Sequence, residues 1–111
     1  MSKSIIAGDD PDQCYLCKTI GEPAEWERVR DVNPWSTKLI QEHHIFGKYD
    51  RKRSEHYGLK VHLCIYHHTE GKEAVHNNAE LNLSLKKIGQ ETFERKYGHD
   101  RWIQEFGKNY L

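Results

Sequence analysis

The chain has 111 residues, of which 36% are hydrophobic and 31% are charged. This length predicts one domain whose small core needs support from a metal ion or a disulfide. The 17 basic and 17 acidic residues cancel, so overall charge gives no support for nucleic-acid binding, and any basic surface must be local. Without a long apolar run near its start, the chain is expected to lack a signal peptide and a membrane span.

The first third of the chain contains a pair of cysteines. Residues 1–12 are polar and predict a flexible lead-in. The sequence Cys-Tyr-Leu-Cys follows, from Cys14 to Cys17. Trp26 and Trp35 stand in a charged stretch, where packing in the core or over the cysteine pair is favoured over stacking on bases.

The middle of the chain predicts an antiparallel β-hairpin. Thr37 to Phe46 is short, apolar and β-branched, and Leu59 to Ile65 begins with the alternation of a half-buried strand. Between them, Gly47 to Gly58 is predicted to be a polar, basic connection. We therefore expect a hairpin with a long loop.

Two helices are predicted after the hairpin. Asn77 and Glu80 have the spacing of a capping box, and Gly98 suits the end of that helix. Asp100 can cap a last short helix that stops near Gly107. Apolar residues at helical spacing predict the face that joins the core: Leu81, Leu85, Ile88 and Phe93.

The cysteines and one histidine predict a structural zinc site. Three cysteines, an odd number, argue against a disulfide framework in a chain expected to be cytoplasmic. Cys14 and Cys17 form one closely spaced pair, and Cys64 opens a second. Three sulfurs and one imidazole are a common closed tetrahedral zinc set. Spacing favours His67 as the fourth ligand, although the count alone leaves His68 open.

Four further histidines predict a second centre. His43 and His44 end the first strand, His68 begins the segment after the second strand, and His76 follows. A hairpin brings its strand ends together, so a second metal ion, open to substrate, could be held there.

This constellation resembles a known family. Two cysteine knuckles bracketing His43-His44-Ile45, with a histidine directly after the second knuckle, resemble the zinc-bearing branch of the HNH (ββα-metal) endonucleases. That branch includes phage endonuclease VII type resolvases and phage recombination-enhancement nucleases. The resemblance covers Cys14 to His76, and residues 63–81 and 105–111 are also similar to small phage and prophage proteins of this type.

The resemblance implies an α+β fold in a single nuclease domain spanning 13–111. A ββα-metal core with a zinc knuckle would cover about residues 37–77, with C-terminal helices over 78–107.

The resemblance also implies roles for the four histidines. His43 would bind the catalytic ion and His44 would be the general base. His68 would bind the ion from the start of the following segment, and His76 is the candidate to complete the site.

Two features set this chain apart from a simple match. The middle asparagine of the HNH pattern, which normally braces the loop, is missing, because Gly58 and Leu59 occupy that stretch, so the sequence does not identify what braces the loop. Neighbouring residues of a regular strand also point to opposite faces. His43 and His44 can therefore share a site only where the strand ends or twists.

The implied reaction is metal-dependent hydrolysis of DNA phosphodiester bonds. A neutral histidine can accept a proton from water, and a divalent ion can stabilise the charge on the phosphate. All-imidazole ligation suits zinc, nickel, cobalt or manganese better than magnesium. Phosphate contacts are predicted for the basic loop residues Lys48, Arg51, Lys52 and Arg53. An ordinary solvent-exposed face is predicted for Lys86, Lys87, Arg95 and Lys96.

Two main functions compete at this point. The first is a DNA endonuclease of phage recombination, replication or packaging, acting in the cytoplasm of a bacterial host. The second is a non-catalytic zinc module that binds nucleic acid or a protein; a nuclease of RNA or a toxin-like chain is a weaker third. His44 discriminates between the endonuclease and the binding module, since a binding module has no use for a general base beside a metal ligand. Besides DNA, candidate partners are a recombination or replication protein and a second copy packed on the apolar end, Trp102 to Leu111; no membrane is expected.

Overall fold

The computed structural model describes residues 3–21, 40–70 and 74–111. Over these residues the chain is α+β, with a small two-stranded sheet followed by C-terminal helices. The elements in chain order are α1 (Tyr15–Thr19), β1 (Ile40–His44), a 3-10 turn (Lys48–Asp50), α2 (Arg51–His56), β2 (Lys60–Cys64), a π-helical turn (Tyr66–Glu70), α3 (Ala79–Tyr97) and α4 (His99–Phe106).

The predicted hairpin is present. β1 and β2 pair antiparallel, with Ile40 opposite Cys64 and His44 opposite Lys60. Both strands are shorter than the predicted segments, and residues 37–39 of the first segment lie outside the described part of the chain. β2 is the more buried strand, since Val61 and Leu63 are fully enclosed.

The connection between the strands is more structured than predicted. It contains the 3-10 turn and α2, because buried Ser54 ties its two ends together. The Phe46 N–H donates to Ser54 Oγ over 3.3 Å, and Ser54 Oγ in turn donates to the Leu59 carbonyl. Ser54 therefore braces the loop between the two strands.

The N-terminal segment is not a loose lead-in but lies along β2. The Ile5 N–H donates to the Gly58 carbonyl over 2.9 Å, and Asp9 Oδ1 accepts the His62 N–H over 2.7 Å. Gly58 has a φ of 71°, and a Cβ there would lie 2.2 Å from the backbone oxygen of Lys3. These contacts cover the edge of β2 that does not pair with β1.

The long helix begins one residue later than predicted. Asn78 is its cap, because Asn78 Oδ1 accepts the N–H groups of Glu80 and Leu81 at 3.0 and 3.2 Å. The expected cap, Asn77, instead donates its side-chain N–H to the Thr69 carbonyl over 2.8 Å. The side chain of Asn77 thus holds the turn before the helix.

The ends of the two C-terminal helices are largely as predicted. Gly98, with a φ of 93°, separates α3 from α4, and Gly107, with a φ of 68°, ends α4. Asp100 lies in the first turn of α4 and does not cap it, because the helix already begins at His99. None of the helices in the described ranges is both long and apolar enough to cross a membrane.

An aromatic core joins these helices to the hairpin. Trp102 and Phe106 stack with ring centroids 4.2 Å apart, and Phe46 packs on both. α3 crosses the end of β1 at Gly89, where a Cβ would lie 2.9 Å from the Phe46 ring. Leu85 and Phe93 of the predicted apolar stripe are buried, whereas Leu81 and Ile88 lie at its edge. This packing places α3 directly beside the two histidines that end β1.

Candidate metal centres

Three separate elements bring the cysteines and one histidine together. Cys14 caps α1, where its Sγ accepts the Cys17 N–H over 3.4 Å, and Cys17 lies one turn further in the same helix. Cys64 ends β2, and His67 lies in the π-helical turn that follows. His67 and not His68 is the histidine of this cluster. The spacing in the sequence favoured this histidine, although the count of histidines alone did not exclude His68.

The spacing of these four side chains fits a tetrahedral ion. His67 Nδ1 lies 3.3, 3.4 and 3.7 Å from the sulfurs of Cys14, Cys17 and Cys64, and the Cys17 and Cys64 sulfurs are 3.8 Å apart. Zinc with ordinary bond lengths would separate sulfur from nitrogen by about 3.6 Å and two sulfurs by about 3.8 Å. The cluster could therefore bind a metal ion such as zinc.

The environment of this cluster is closed. Cys14, Cys64 and His67 are buried, and none of the three cysteines forms a disulfide. Hydrogen bonds with the other two thiols, followed by burial, raise the pKa of Cys17. A bound cation reverses this preference, because it stabilises thiolates. A buried set of four protein ligands is typical of structural sites.

A second group contains His43, His68 and His76. One ring nitrogen from each lies within 4.8 Å of the others, and the ring centroids are 4.8 to 5.2 Å apart. His43 comes from the end of β1, His68 from the π-helical turn and His76 from the segment before α3. The structure thus brings together the three residues that the sequence grouped.

The chemistry of these three histidines suits a cation. His43 is only 6% exposed, and its Nε2 has no hydrogen-bond partner among the described residues. Burial, followed by the charges of His68 and His76, lowers the pKa of His43 to about 3, and burial also lowers the pKa of His68. His68 Nδ1 lies 2.6 Å from Gln41 Oε1, an acceptor, so Nδ1 carries the proton and Nε2 keeps its lone pair. Neutral imidazoles with free lone pairs are ready-made metal ligands.

His44 has a different environment. Its Nε2 lies 2.8 Å from Glu55 Oε2 and 3.6 Å from Glu42 Oε1. Adjacent strand residues point to opposite faces, and His44 is accordingly not part of the three-histidine group. The Nε2 atom of His44 is thus engaged by Glu55 of α2.

Lys60 completes the surroundings of His44. Its Nζ lies 2.9 Å from Glu55 Oε2 and 3.2 Å from Glu42 Oε1. Burial alone would lower the pKa of Lys60, but these hydrogen bonds raise it, and the pKa of Glu55 falls to about 2 through its bonds to Lys60 and His44. Glu42, His44 and Glu55 lie close enough to bind a metal ion. However, the Lys60 ammonium already occupies the position of a cation between the two carboxylates.

A cleft of about 470 Å³ opens beside the histidines. His43, His44 and His76 line it together, because His44 is the last residue of β1. Its remaining wall carries three lysines and one acid: Lys48, Lys86, Lys108 and Asp50. The cleft is therefore basic although the whole chain is neutral.

The predicted phosphate-binding loop is only partly at this cleft. Lys48 lines it, but Arg51, Lys52 and Arg53 lie on α2 and are not among its lining residues. Arg53 is also paired with Asp50, at 3.3 Å. Trp26 and Trp35, predicted to pack in the core or over the cysteines, lie outside the described residues.

Several residues of the site were not found from the sequence. Glu55 reaches His44 only because its helix, α2, folds back on the hairpin, whereas Lys60 stands opposite His44 in the pairing of the two strands. Lys86 was assigned to a solvent-exposed face, although it stands four residues after Asn82, which also lines the cleft. That helical spacing is the one local sign that could have identified it.

No family model, no curated protein and no solved structure matches this chain. The function of the chain must therefore be inferred from the site itself.

Proposed function

We propose that the chain is a metal-dependent endonuclease of the HNH type that hydrolyses DNA phosphodiester bonds. One observation carries the proposal: His43, His68 and His76 approach one point at the wall of a basic cleft that His44 also lines. A ββα-metal core would account for this arrangement, with β1, β2 and the turn after β2 as its parts.

The three-histidine group would hold a divalent ion through His43, His68 and His76. Such an ion supplies positive charge to the phosphate oxygens as negative charge develops on them. Gln41 would fix the direction of the His68 ring through its 2.6 Å contact with Nδ1.

His44 would act as the general base. A carboxylate only accepts hydrogen bonds, so neutral His44 donates Nε2–H to Glu55 and keeps the lone pair on Nδ1. Nδ1 can then accept the proton of the attacking water, while Glu55 orients the ring and stabilises its positive charge. Glu55 is in this view a positioning residue.

Lysines around the cleft would attract the phosphate backbone. Lys48 borders the cleft, and Arg51 and Lys52 stand exposed on the adjacent α2, where they can contact phosphates further along the DNA. Arg53 would contribute less to phosphate binding, since it is paired with Asp50 and Glu105.

The cysteine cluster would bind a structural zinc ion. Cys14, Cys17, Cys64 and His67 would tie α1 to the end of β2, so that zinc supports the hairpin without taking part in hydrolysis. A role in phage recombination, replication or packaging, in the cytoplasm of a bacterial host, is the biological setting that we infer from the sequence resemblance.

The proposal is tested by incubating protein that retains one equivalent of zinc with supercoiled, linear and single-stranded DNA. Each substrate is offered with zinc, nickel, cobalt, manganese or magnesium, and with a weak chelator as the control. We expect cleavage of at least one DNA form with at least one ion. Binding of DNA without cleavage under every condition would favour the non-catalytic zinc module instead.

A further inference from the structure

The C-terminal tail, residues 107–111, is fixed by internal polar groups. Gln90 is fully buried; its Oε1 accepts the Tyr110 N–H and its Nε2 donates to Asn109 Oδ1, both over 2.7 Å. The buried Trp102 donates its indole N–H to the Lys108 carbonyl over 2.6 Å. A buried amide is costly unless it is hydrogen-bonded, so the position of the tail is strongly determined.

The fixed tail forms part of the cleft. Its Tyr110 ring packs on Phe46, with centroids 5.6 Å apart, two residues beyond the His44 end of β1. Lys108 and Tyr110 both line the cleft. Lys86 approaches from α3, with its Nζ 5.4 Å from the centre of the Tyr110 ring, where a cation–π interaction orients the ammonium group.

The chemistry of this wall fits a second anionic group. Lys86 and Lys108 face the cleft from α3 and from the tail, and Asp50 is the acid that lines the same space. The volume of about 470 Å³ lies in the range of pockets that enclose whole small-molecule ligands, so there is room beside the histidines for another phosphate.

We propose that Lys86 and Lys108 form a subsite for the phosphate next to the one that is cleaved, with the tail as its wall. The inference rests on the proposed function in taking the ligand to be nucleic acid. The tail would thereby set the register of the strand in the cleft, because a bound neighbouring phosphate fixes which bond lies at the three histidines.

A simpler role for the tail is closure of the aromatic core, and the two roles make different demands. Core closure needs the Tyr110 ring and the backbone of Lys108, but not the ammonium group of Lys108, whose residue is exposed. Replacing this lysine therefore separates the subsite from the packing role.

The test measures DNA binding at several salt concentrations in a His44→Ala background, so that no cleavage interferes. Lys86→Ala and Lys108→Ala are compared with Lys87→Ala, an exposed neighbour on α3 that does not line the cleft. We expect each cleft variant to bind more weakly and to reduce the slope of log affinity against log salt by about 0.7–0.9, the loss for one phosphate contact. Lys87→Ala should leave both quantities unchanged.

The outcomes separate the subsite from the nuclease. Slopes equal to that of Lys87→Ala, or no DNA binding by the parent protein, would overturn the subsite even if the unmutated chain cleaves DNA. Reduced slopes in a chain that cleaves nothing would retain the subsite and reject the nuclease. The thermal unfolding midpoint of each variant is measured, and an unchanged midpoint verifies that the tail is still packed. If Lys86→Ala loosens the tail, the test depends on Lys108→Ala alone.

Discussion

Two neighbouring residues, the proposed metal ligand and the proposed base, have different environments. His43 is buried with a strongly lowered pKa, whereas His44 is held by the carboxylate of Glu55. The alternation of side chains along β1 gives them different partners. Because the strand ends at His44, both still border one cleft.

The first prediction concerns the Glu55 side chain. Glu55→Gln should lower kcat because a neutral amide stabilises the imidazolium of His44 less well than a carboxylate does. KM and the metal content of the three-histidine site should stay unchanged, since Glu55 neither lines the cleft nor belongs to that site. The measurement is steady-state cleavage kinetics together with metal analysis.

Glu42→Gln provides the matched control, because Glu42 Oε1 lies farther from His44, at 3.6 Å. A loss of DNA binding in Glu55→Gln with kcat unaltered would show that Glu55 only supports the fold or the surface.

Among single residues, the sequence predicted the candidate metal ligands better than the residues that hydrogen-bond to them or to His44. Spacing was sufficient to group the cysteines with His67, because short local motifs fix those side chains. Lys60 was missed because the pairing register of the hairpin was not predicted, and Glu55 because its contact with His44 depends on how α2 packs against the strands. Packing of this kind leaves no periodic pattern in a sequence.

At the scale of elements, α3 packs closely against residues 45–46, which directly follow β1 and line the cleft. Gly89 stands inside a helix, where alanine would ordinarily be favoured by about 1 kcal/mol. A Cβ at this position would meet the Phe46 ring at 2.9 Å and Ile45 Cγ2 at 3.3 Å. Close approach of the helix to the strand end therefore explains the glycine.

The second prediction is that Gly89→Ala destabilises the protein. Overpacking against a ring enclosed by Trp102 and Phe106 typically costs about 1–3 kcal/mol, which exceeds the gain in helix propensity. Urea denaturation measures the change in unfolding free energy, and Lys87→Ala reports the effect of an exposed position on the same helix. Stabilisation by Gly89→Ala would mean that α3 does not approach β1 this closely.

Elements with a clear periodicity were predicted well, and the others were not. The hairpin and the long helix were found, but α2 was taken for part of a loop, because its stability comes from the buried hydroxyl of Ser54 and not from an apolar stripe. The helix start was misplaced by one residue because Asn77 and Asn78 are equally good caps locally. The tertiary contact of Asn77 with Thr69 decides between them.

At the scale of the whole molecule, the cysteine cluster connects parts that are far apart in sequence. Cys14 caps α1 and Cys17 lies within it, whereas Cys64 ends β2 and His67 comes three residues after that, roughly fifty residues later in the sequence. Few other helices or strands in the described ranges touch α1, whose main packing partner is β2. A metal ion at this junction would stabilise the fold directly.

The third prediction is that removing this ion unfolds the hairpin. A strong chelator, or Cys17→Ala, should abolish the cooperative unfolding transition, because the ligands converge only in the folded chain. Circular dichroism and metal analysis are the measurements. His43→Ala is the control: it should lose the second ion while keeping one zinc and the fold. Native spectra in metal-free protein would show that the cluster is held by packing alone.

The most direct test of the account is cleavage of DNA by His44→Ala. Its control is His99→Ala, which removes an exposed histidine of α4 outside the three candidate metal groups. We expect His44→Ala to keep its fold, both metal sites and its DNA affinity, yet to lose cleavage roughly 10²–10⁴-fold, the usual contribution of a general base. His99→Ala should cleave like the unmutated protein. Full cleavage by pure His44→Ala would contradict the mechanism.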